Sequence, residues 1–376
     1  MKRLLAALAA WLAAAAMAQP AAPPPIAARA YFLVDAQSGQ VLAAASEDER
    51  FEPASLTKLM TAYVAFAALR DRELDEAREV AVSEKAGKAR GARMFLAPGK
   101  PVAVRDLLQG LVVASANDAA IALAEAVAGS EDAFVARMNR QAARLGLANT
   151  HFANATGEPA PEQHSTARDL ASLALALVRD FPARYPLYAQ KEFAYNGIAQ
   201  ASRNRLLWTD PTVDGMKAGF TEAAGYCLIA SARRGTRRLV SVVLGARSDT
   251  LRTTESQKLL NFGFQAFETR LVYAKGKPVA EPEVYKGTRS HVAVGFQHDV
   301  WLTLPRDQFK DIRAVVRTRE PFVAPLAAGE KAGIMKLMRD NATVAELPVV
   351  ALEDVPVAGF LSRGWDTLRL LVHSSP

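Results

Sequence analysis

The sequence predicts a mixed α/β (α+β) domain, followed by a small all-β domain and a C-terminal amphipathic helix. Three observations carry this. Strand-like runs stand at both ends of a block of helix-period segments, so a single sheet must be assembled from distant parts of the chain. Near Val272 the helix-length runs stop, and short β-rich pieces divided by glycine, proline and charge take over. Residues 357–376 return to helical spacing, with apolar side chains in one stripe and arginines outside it. With 376 residues, 50% hydrophobic and 23% charged, the chain can bury one large core or two ordinary ones, and disorder is not the default.

The chain opens "MKRLLAALAAWLAAAAMAQPAAPPP", with Lys2 and Arg3 ahead of an apolar stretch and Ala16-Met17-Ala18 before Gln19. Residues 1–18 read as a secretory signal peptide with cleavage after Ala18. The stretch from Leu4 to Met17 is shorter than the ~20 residues that span a bilayer. Removing residues 1–18 takes away two positive charges and lowers the formal net charge from +7 to +5. Residues 19–28 are a linker, extended through Pro20 to Pro25.

Residues 29–271 make the first domain. "AYFLVDAQSGQVLAAA" reads as a hairpin around Ser38-Gly39, and Leu56 to Leu69 is helical in period without glycine or proline. Further helices are expected at Val104 to Val113, Asn117 to Val127, Glu131 to Leu145 and Ala167 to Val178. After Gly215, "GYCLIASARRGTRRLVSVVLGA" reads as two buried strands joined at Gly235, and a helix runs through "TTESQKLLNFGFQAFE".

The basic run "RRGTRR" has nucleic acid as its alternative partner, but export and the flanking strands favour a solvated turn, and no nucleic acid is expected. Cys227 is the sole cysteine, so no internal disulfide can form; in its apolar run it reads as a buried, inert thiol.

Residues 272–356 supply the β domain, read as a sandwich from pieces such as "VAVGF", "VWLTL" and "ELPVVAL". In residues 357–376, Phe360, Leu361, Trp365, Leu368 and Val372 share a stripe that leaves out Arg363, Asp366 and Arg369. Such a helix can lie flat on a membrane surface; the alternative is packing on its own domain.

"FEPASLTKLM" places Ser55 one helical turn before Lys58. A neutral serine needs a base within hydrogen-bond reach and donors for the oxyanion it creates. Residues i and i+3 share a helix face, so Lys58 can point its amine at the hydroxyl, and burial among Leu56, Leu59 and Met60 would lower its pKa. Alone, S-x-x-K is a weak signal, and Pro53 and Ser55 also make an ordinary helix start.

In "LVVASANDAA", Ser115 and Asn117 put a hydroxyl and an amide on a loop rim, or else cap the following helix. In "TVDGMKAGFTEAAGY", Lys217 precedes Gly219, a place where a ligand could approach the backbone; its alternative is a charged edge strand. The five histidines form no metal-ligand pattern, no phosphate-binding glycine loop occurs, and G-x-S-x-G is absent, so neither metal nor cofactor is expected.

In this order the three segments resemble the active-site serine penicillin-binding proteins and their β-lactamase relatives, a motif set that general accounts of these enzymes use as an example. More narrowly, the chain resembles the low-molecular-mass D-alanyl-D-alanine carboxypeptidases of the penicillin-binding protein 5 type. "FLVDAQSGQVL", "PASLTKLMT", "SANDA", "LGLANTHFANATG", "STARDLA", "NRLLW", "VDGMKAG" and "AGYCLIASA" follow that family in sequence and spacing.

The resemblance implies a β-lactamase/transpeptidase-like first domain that trims terminal D-alanine from peptidoglycan pentapeptides, with β-lactams as inhibitors. It implies attachment to the periplasmic face of the inner membrane through the C-terminal helix. It makes Ser55 the acylated nucleophile, Lys58 its base, Ser115 and Lys217 a proton relay, and Asn117 the holder of the substrate amide. The backbone N–H groups of Ser55 and Phe220 would form the oxyanion hole beside Gly219, Arg252 would lie near the substrate carboxylate, and Arg203 would be a second basic position near the site.

One departure stands out. Where the family has K-T-G, this chain has Lys217-Ala218-Gly219, so a hydroxyl for the terminal carboxylate is missing; Thr221 or Arg252 could compensate. Two alternatives follow: a wall-binding protein of the same fold with weakened catalysis, or a β-lactamase. The loop "GEPAPEQHSTARD" lacks the E-x-x-x-N pattern of a fast deacylating glutamate.

Overall fold

The computed structural model describes residues 22–340 and 342–373. The expected signal peptide and the first residues of the linker lie outside the described residues. The chain divides into two compact units, with the break between Ala266 and Phe267.

In the first unit, β1 (Ala30–Asp35) and β2 (Val41–Ala45) form the N-terminal hairpin, and β3 (Val213–Thr221), β4 (Gly225–Arg234) and β5 (Arg237–Ala246) follow far along the chain. They join in one antiparallel sheet in the order β2-β1-β5-β4-β3. Phe32 pairs with Val242, so the first strand closes against the last, and β3 is left at the edge. Gly235 takes φ +62° in the turn between β4 and β5, where a side chain would be strained.

Both faces of the sheet are covered, which is why β4 and β5 are nearly continuous apolar runs. One face, with Phe32, Val34, Val240 and Val242, joins the main core with the helices α1 (Lys58–Arg70), α3 (Asn117–Ala128), α4 (Glu131–Arg144) and α5 (Ala167–Asp180). The helix α2 (Val104–Gln109) joins the same core through Val104, Leu107 and Leu108. The other face carries α6 (Asp249–Ala266), packed so closely that a Cβ on Gly263 would stand 2.7 Å from Leu239. The helix α1 is apolar almost all round, as its central position demands, with Leu59, Met60, Ala62, Ala65 and Phe66 buried. Ser130 and Thr166 cap α4 and α5 with their hydroxyls.

Two helical expectations are corrected. The segment Val104 to Val113 is α-helical only to Gln109 and then widens into a π turn over Gly110–Ala114. The apolar spacing of "GLVVA" does not distinguish the two; in the structure Gly110 packs against Met94, where a Cβ would meet the sulfur. The helix through "NFGFQAFE" stops at Ala266, because Phe267–Tyr273 pairs as a strand with Val300–Pro305 and aligns Thr269 with Thr303.

The second unit is built on a five-stranded antiparallel sheet ordered Pro278–Ala280, Val294–Gly295, Ala342–Ala351, Lys331–Arg339 and Arg313–Thr318. The ribbon of Phe267–Tyr273 and Val300–Pro305 covers one face, where Val300, Leu302 and Leu304 meet Met335, Leu337 and Val349. The terminal helix spans Phe360–His373. Asp366 accepts the backbone N–H of Lys286 at 2.6 Å, and Arg369 pairs with Glu283 at 2.7 Å, so its polar residues tie it to this unit. Phe360 is 86% exposed and Trp365 67%. The side chains of Leu361, Leu368 and Val372 lie outside the described residues.

Candidate active site

Ser55 sits in a 3-10 turn, Ala54–Thr57, immediately ahead of α1. As an early residue of that turn it has no helical acceptor for its N–H. Its hydroxyl lies 3.1 Å from Lys58 Nζ, and Lys58 donates to the Thr156 carbonyl at 2.5 Å. Thr61 binds the neighbouring Ala155 carbonyl at 2.7 Å, so the loop after Phe152 is strapped along α1. Lys58 is 1% exposed and among the described residues no carboxylate bonds it, so burial drives its pKa from 10.5 to about 7; the Glu158 and Asp118 charges oppose that fall and Arg203 assists it.

The π turn delivers the second segment. It ends on Ser115, held in the left-handed region at φ +59°, an uncommon conformation for a serine. Asn117 starts α3 and is pinned from two sides: its N–H donates to Ala92 and its side-chain amide to Arg90 and Glu158, at 2.7 and 2.8 Å. Asp118, buried behind it, accepts the N–H groups of Met94 and Leu96 at 3.0 Å and fixes that loop.

The edge strand β3 brings the third segment. Lys217, 4% exposed, donates to Ser115 Oγ at 2.7 Å and to the Ala218 carbonyl at 2.9 Å. Burial is the main cause holding its pKa well below the usual lysine range, and Lys58, Arg203 and Arg252 push the same way. A Cβ on Gly219 would lie 3.2 Å from the Ser55 nitrogen, so the bare backbone of β3 closes over the Ser55 turn.

These groups open on a cleft of about 870 Å³ lined by Ser55, Ser115, Asn117, Ala218, Gly219 and Phe220. Arg203 and Arg252 also line it. Arg252 is buried and already engaged, donating to the Gly219 and Cys227 carbonyls at 2.9 and 3.3 Å and pairing with Asp249. Arg203 is exposed at the cleft, and the Phe220 ring packs on Tyr226. Thr221 cannot replace the missing hydroxyl of Ala218, because it donates to Glu52 at 2.9 Å.

All nine residues singled out from the sequence are thus gathered around one cleft. Cys227 is buried and its thiol pKa is raised to about 11, which fits an inert role. Sequence reasoning overlooked Glu158 and the Thr156 carbonyl. Both belong to a loop without periodic signal, whose partners lie 41 and 98 positions away. Among the described residues, no group of three or more acidic, histidine or cysteine side chains could hold a metal ion.

A family model described as D-alanyl-D-alanine carboxypeptidase matches residues 16–248, and one described as the C-terminal domain of penicillin-binding protein 5 matches residues 267–357. The D-alanyl-D-alanine carboxypeptidase DacC of Escherichia coli (strain K12) is 42% identical over 93% of this chain and 90% of its own. The structure of penicillin-binding protein 5 from Haemophilus influenzae is 39% identical with a TM-score of 0.87, covering 89% of this chain and 99% of that one. Penicillin-binding protein 6B of Escherichia coli is 37% identical with a TM-score of 0.75, over 88% and 97%.

Proposed function

The chain belongs to the D-alanyl-D-alanine carboxypeptidase family of serine peptidases, and from that membership we propose how its residues carry the reaction. It is a penicillin-sensitive enzyme of the cell wall that removes the terminal D-alanine of peptidoglycan pentapeptides.

In the proposed scheme the neutral amine of Lys58 takes the proton of Ser55 as Oγ attacks the carbonyl carbon between the two D-alanines. The negative charge moves to the carbonyl oxygen, where the N–H groups of Ser55 and Phe220 receive it. The C–N bond then breaks. Ser115 and Lys217 relay the proton taken by Lys58 to the departing amine, D-alanine leaves, and an ester remains on Ser55 with Lys58 neutral again. Water attacks that ester, its proton returns through Lys58, and Oγ leaves as the hydroxyl. A β-lactam enters the same first step, but its leaving group stays tethered and the ester persists.

The observation that carries this reading is the buried amine of Lys58 beside Ser55 Oγ, with Lys217 bonded to Ser115. A fully charged pair of lysines there would be costly, so at least one is available as a base near neutral pH. Mass spectrometry of the protein after incubation with penicillin tests it. The adduct should map to Ser55 and vanish in Ser55→Ala; an adduct that survives that substitution removes Ser55 from the scheme.

The family works at the wall, which makes the protein periplasmic and membrane-associated. The helix Phe360–His373 is proposed as its peripheral contact with the inner membrane, with Phe360 and Trp365 facing out while Asp366 and Arg369 tie it to the β unit. Among the described residues, no helix is long and apolar enough to cross a membrane.

A further inference from the structure

Two carboxylates line the cleft. Asp249 is taken by Arg205 and Arg252. Glu158 has no cationic partner within ion-pair distance among the described residues, and the scheme above gives it no work.

Its position is built. Gly157 stands at φ +88°, and a Cβ there would lie 1.8 Å from the Ala54 carbonyl oxygen and 3.0 Å from the Ser55 nitrogen. Only a glycine lets the loop lie on the Ser55 turn, and residue 158 emerges at the rim of the nucleophile. Asn154 accepts the Gly157 N–H at 2.7 Å, and both Asn154 and Gln163 donate to the Glu158 carbonyl, at 2.9 and 2.8 Å.

From this rim Glu158 Oε1 accepts one hydrogen of the Asn117 amide, and the Arg90 carbonyl accepts the other. Both donors of Asn117 are therefore spent, and what it offers a substrate is its carbonyl oxygen, an acceptor for an N–H. Glu158 is also the largest favourable charge on Lys58, which otherwise faces Asp118 from α3, Lys217 from β3 and Arg203.

We propose that Glu158 is a positioning residue for the acyl transfer: it locks the Asn117 side chain as an acceptor toward the cleft and sets a negative charge against the Ser55–Lys58 pair. The proposal rests on the carboxypeptidase reading. It acts through Asn117 and Lys58, not on the reacting atoms.

The test compares full-length wild type, Glu158→Gln and Glu158→Ala by kcat/KM against pH on a D-Ala-D-Ala peptide, with fluorescent penicillin labelling alongside. Glu158→Gln keeps an acceptor for Asn117 and removes the charge. Its acid limb should therefore move to lower pH by roughly half a unit or more, with the plateau within about threefold of wild type. Glu158→Ala should show the same displacement and lose about tenfold on the plateau, since the Asn117 donor is freed. An unmoved acid limb in Glu158→Gln overturns the proposal, as does a plateau that falls equally in both variants. If the wild type neither releases D-alanine nor takes up penicillin, the carboxypeptidase reading falls and this proposal with it. If it does both while the limb stays in place, only this proposal falls.

Discussion

Lys58 Nζ lies 3.1 Å from Ser55 Oγ, and among the described residues no carboxylate is hydrogen-bonded to that amine. Burial is the dominant cause that brings its pKa to about 7. An amine that must be neutral to accept a proton works only above its own pKa. The kcat/KM for a D-Ala-D-Ala peptide should therefore hold steady above about pH 7 and drop close to tenfold for each unit below. A profile flat down to pH 5 would remove Lys58 as the base.

The same burial costs stability. In the unfolded chain Lys58 keeps its proton up to about pH 10.5, while in the folded protein it loses it near 7. Between those values the unfolded state binds more protons, so wild-type stability rises with pH across that window. Lys58→Met has no proton to lose and should be inactive yet more stable at pH 7. The expected gain is about 1–3 kcal/mol after offsetting the unpaired Thr156 carbonyl, or roughly 2–4 °C in Tm per kcal/mol. The gap to wild type should narrow as the buffer is raised toward pH 10. Thermal melts at pH 7 and pH 9.5 decide it; a variant less stable at both rejects the account.

What could be read from the sequence follows the range of the interactions. Ser55 and Lys58 are one turn apart, so their meeting follows from helix geometry alone. Ser115 and Lys217 bond across 102 positions, and no local pattern predicts that; the resemblance to a known family brought them together before the structure did. Glu158 had neither aid. Its contact to Asn117 depends on Gly157 lying on the Ser55 turn, and the loop holding it was weighed only for a deacylation motif that it lacks. The π turn escaped because apolar spacing is nearly the same in α and π geometry, although its extra residue helps present Ser115. In the terminal helix the apolar stripe was visible, whereas the tie of Asp366 to Lys286 was not, since it needs the β unit folded beside it.

That tie bears on membrane contact. With Asp366 and Arg369 spent on the β unit, Phe360 and Trp365 are the described apolar groups left to enter a lipid interface. The double variant Phe360→Ser, Trp365→Ser should keep wild-type turnover of a soluble peptide. Its partition onto anionic phospholipid vesicles should weaken by about tenfold or more, at ~25 cal/mol per Å² of apolar surface withdrawn from water. Vesicle cosedimentation unchanged by both substitutions would leave the helix as a packing element of its own unit.

Ala218 poses the sharpest question about catalytic strength. It lines the cleft one residue after Lys217, and the nearby hydroxyl of Thr221 is spent on Glu52. Arg252 is divided among two backbone carbonyls and Asp249. The exposed Arg203 is thus the cleft cation with most freedom to meet a substrate carboxylate, across a less defined geometry. Ala218→Thr adds a β-branched residue to a strand, which strands accept well, and returns a donor to the cleft. One hydrogen bond to a charged group is worth about 1.5–3 kcal/mol, so kcat/KM for D-alanine release should rise roughly ten- to a hundredfold. In Ala218→Thr, Arg203→Ala should then cost less than it does in the parent, since the carboxylate has a second holder. If the threonine leaves turnover unchanged and Arg203→Ala remains just as damaging, the carboxylate is bound without help from position 218, and the alanine there carries no catalytic penalty.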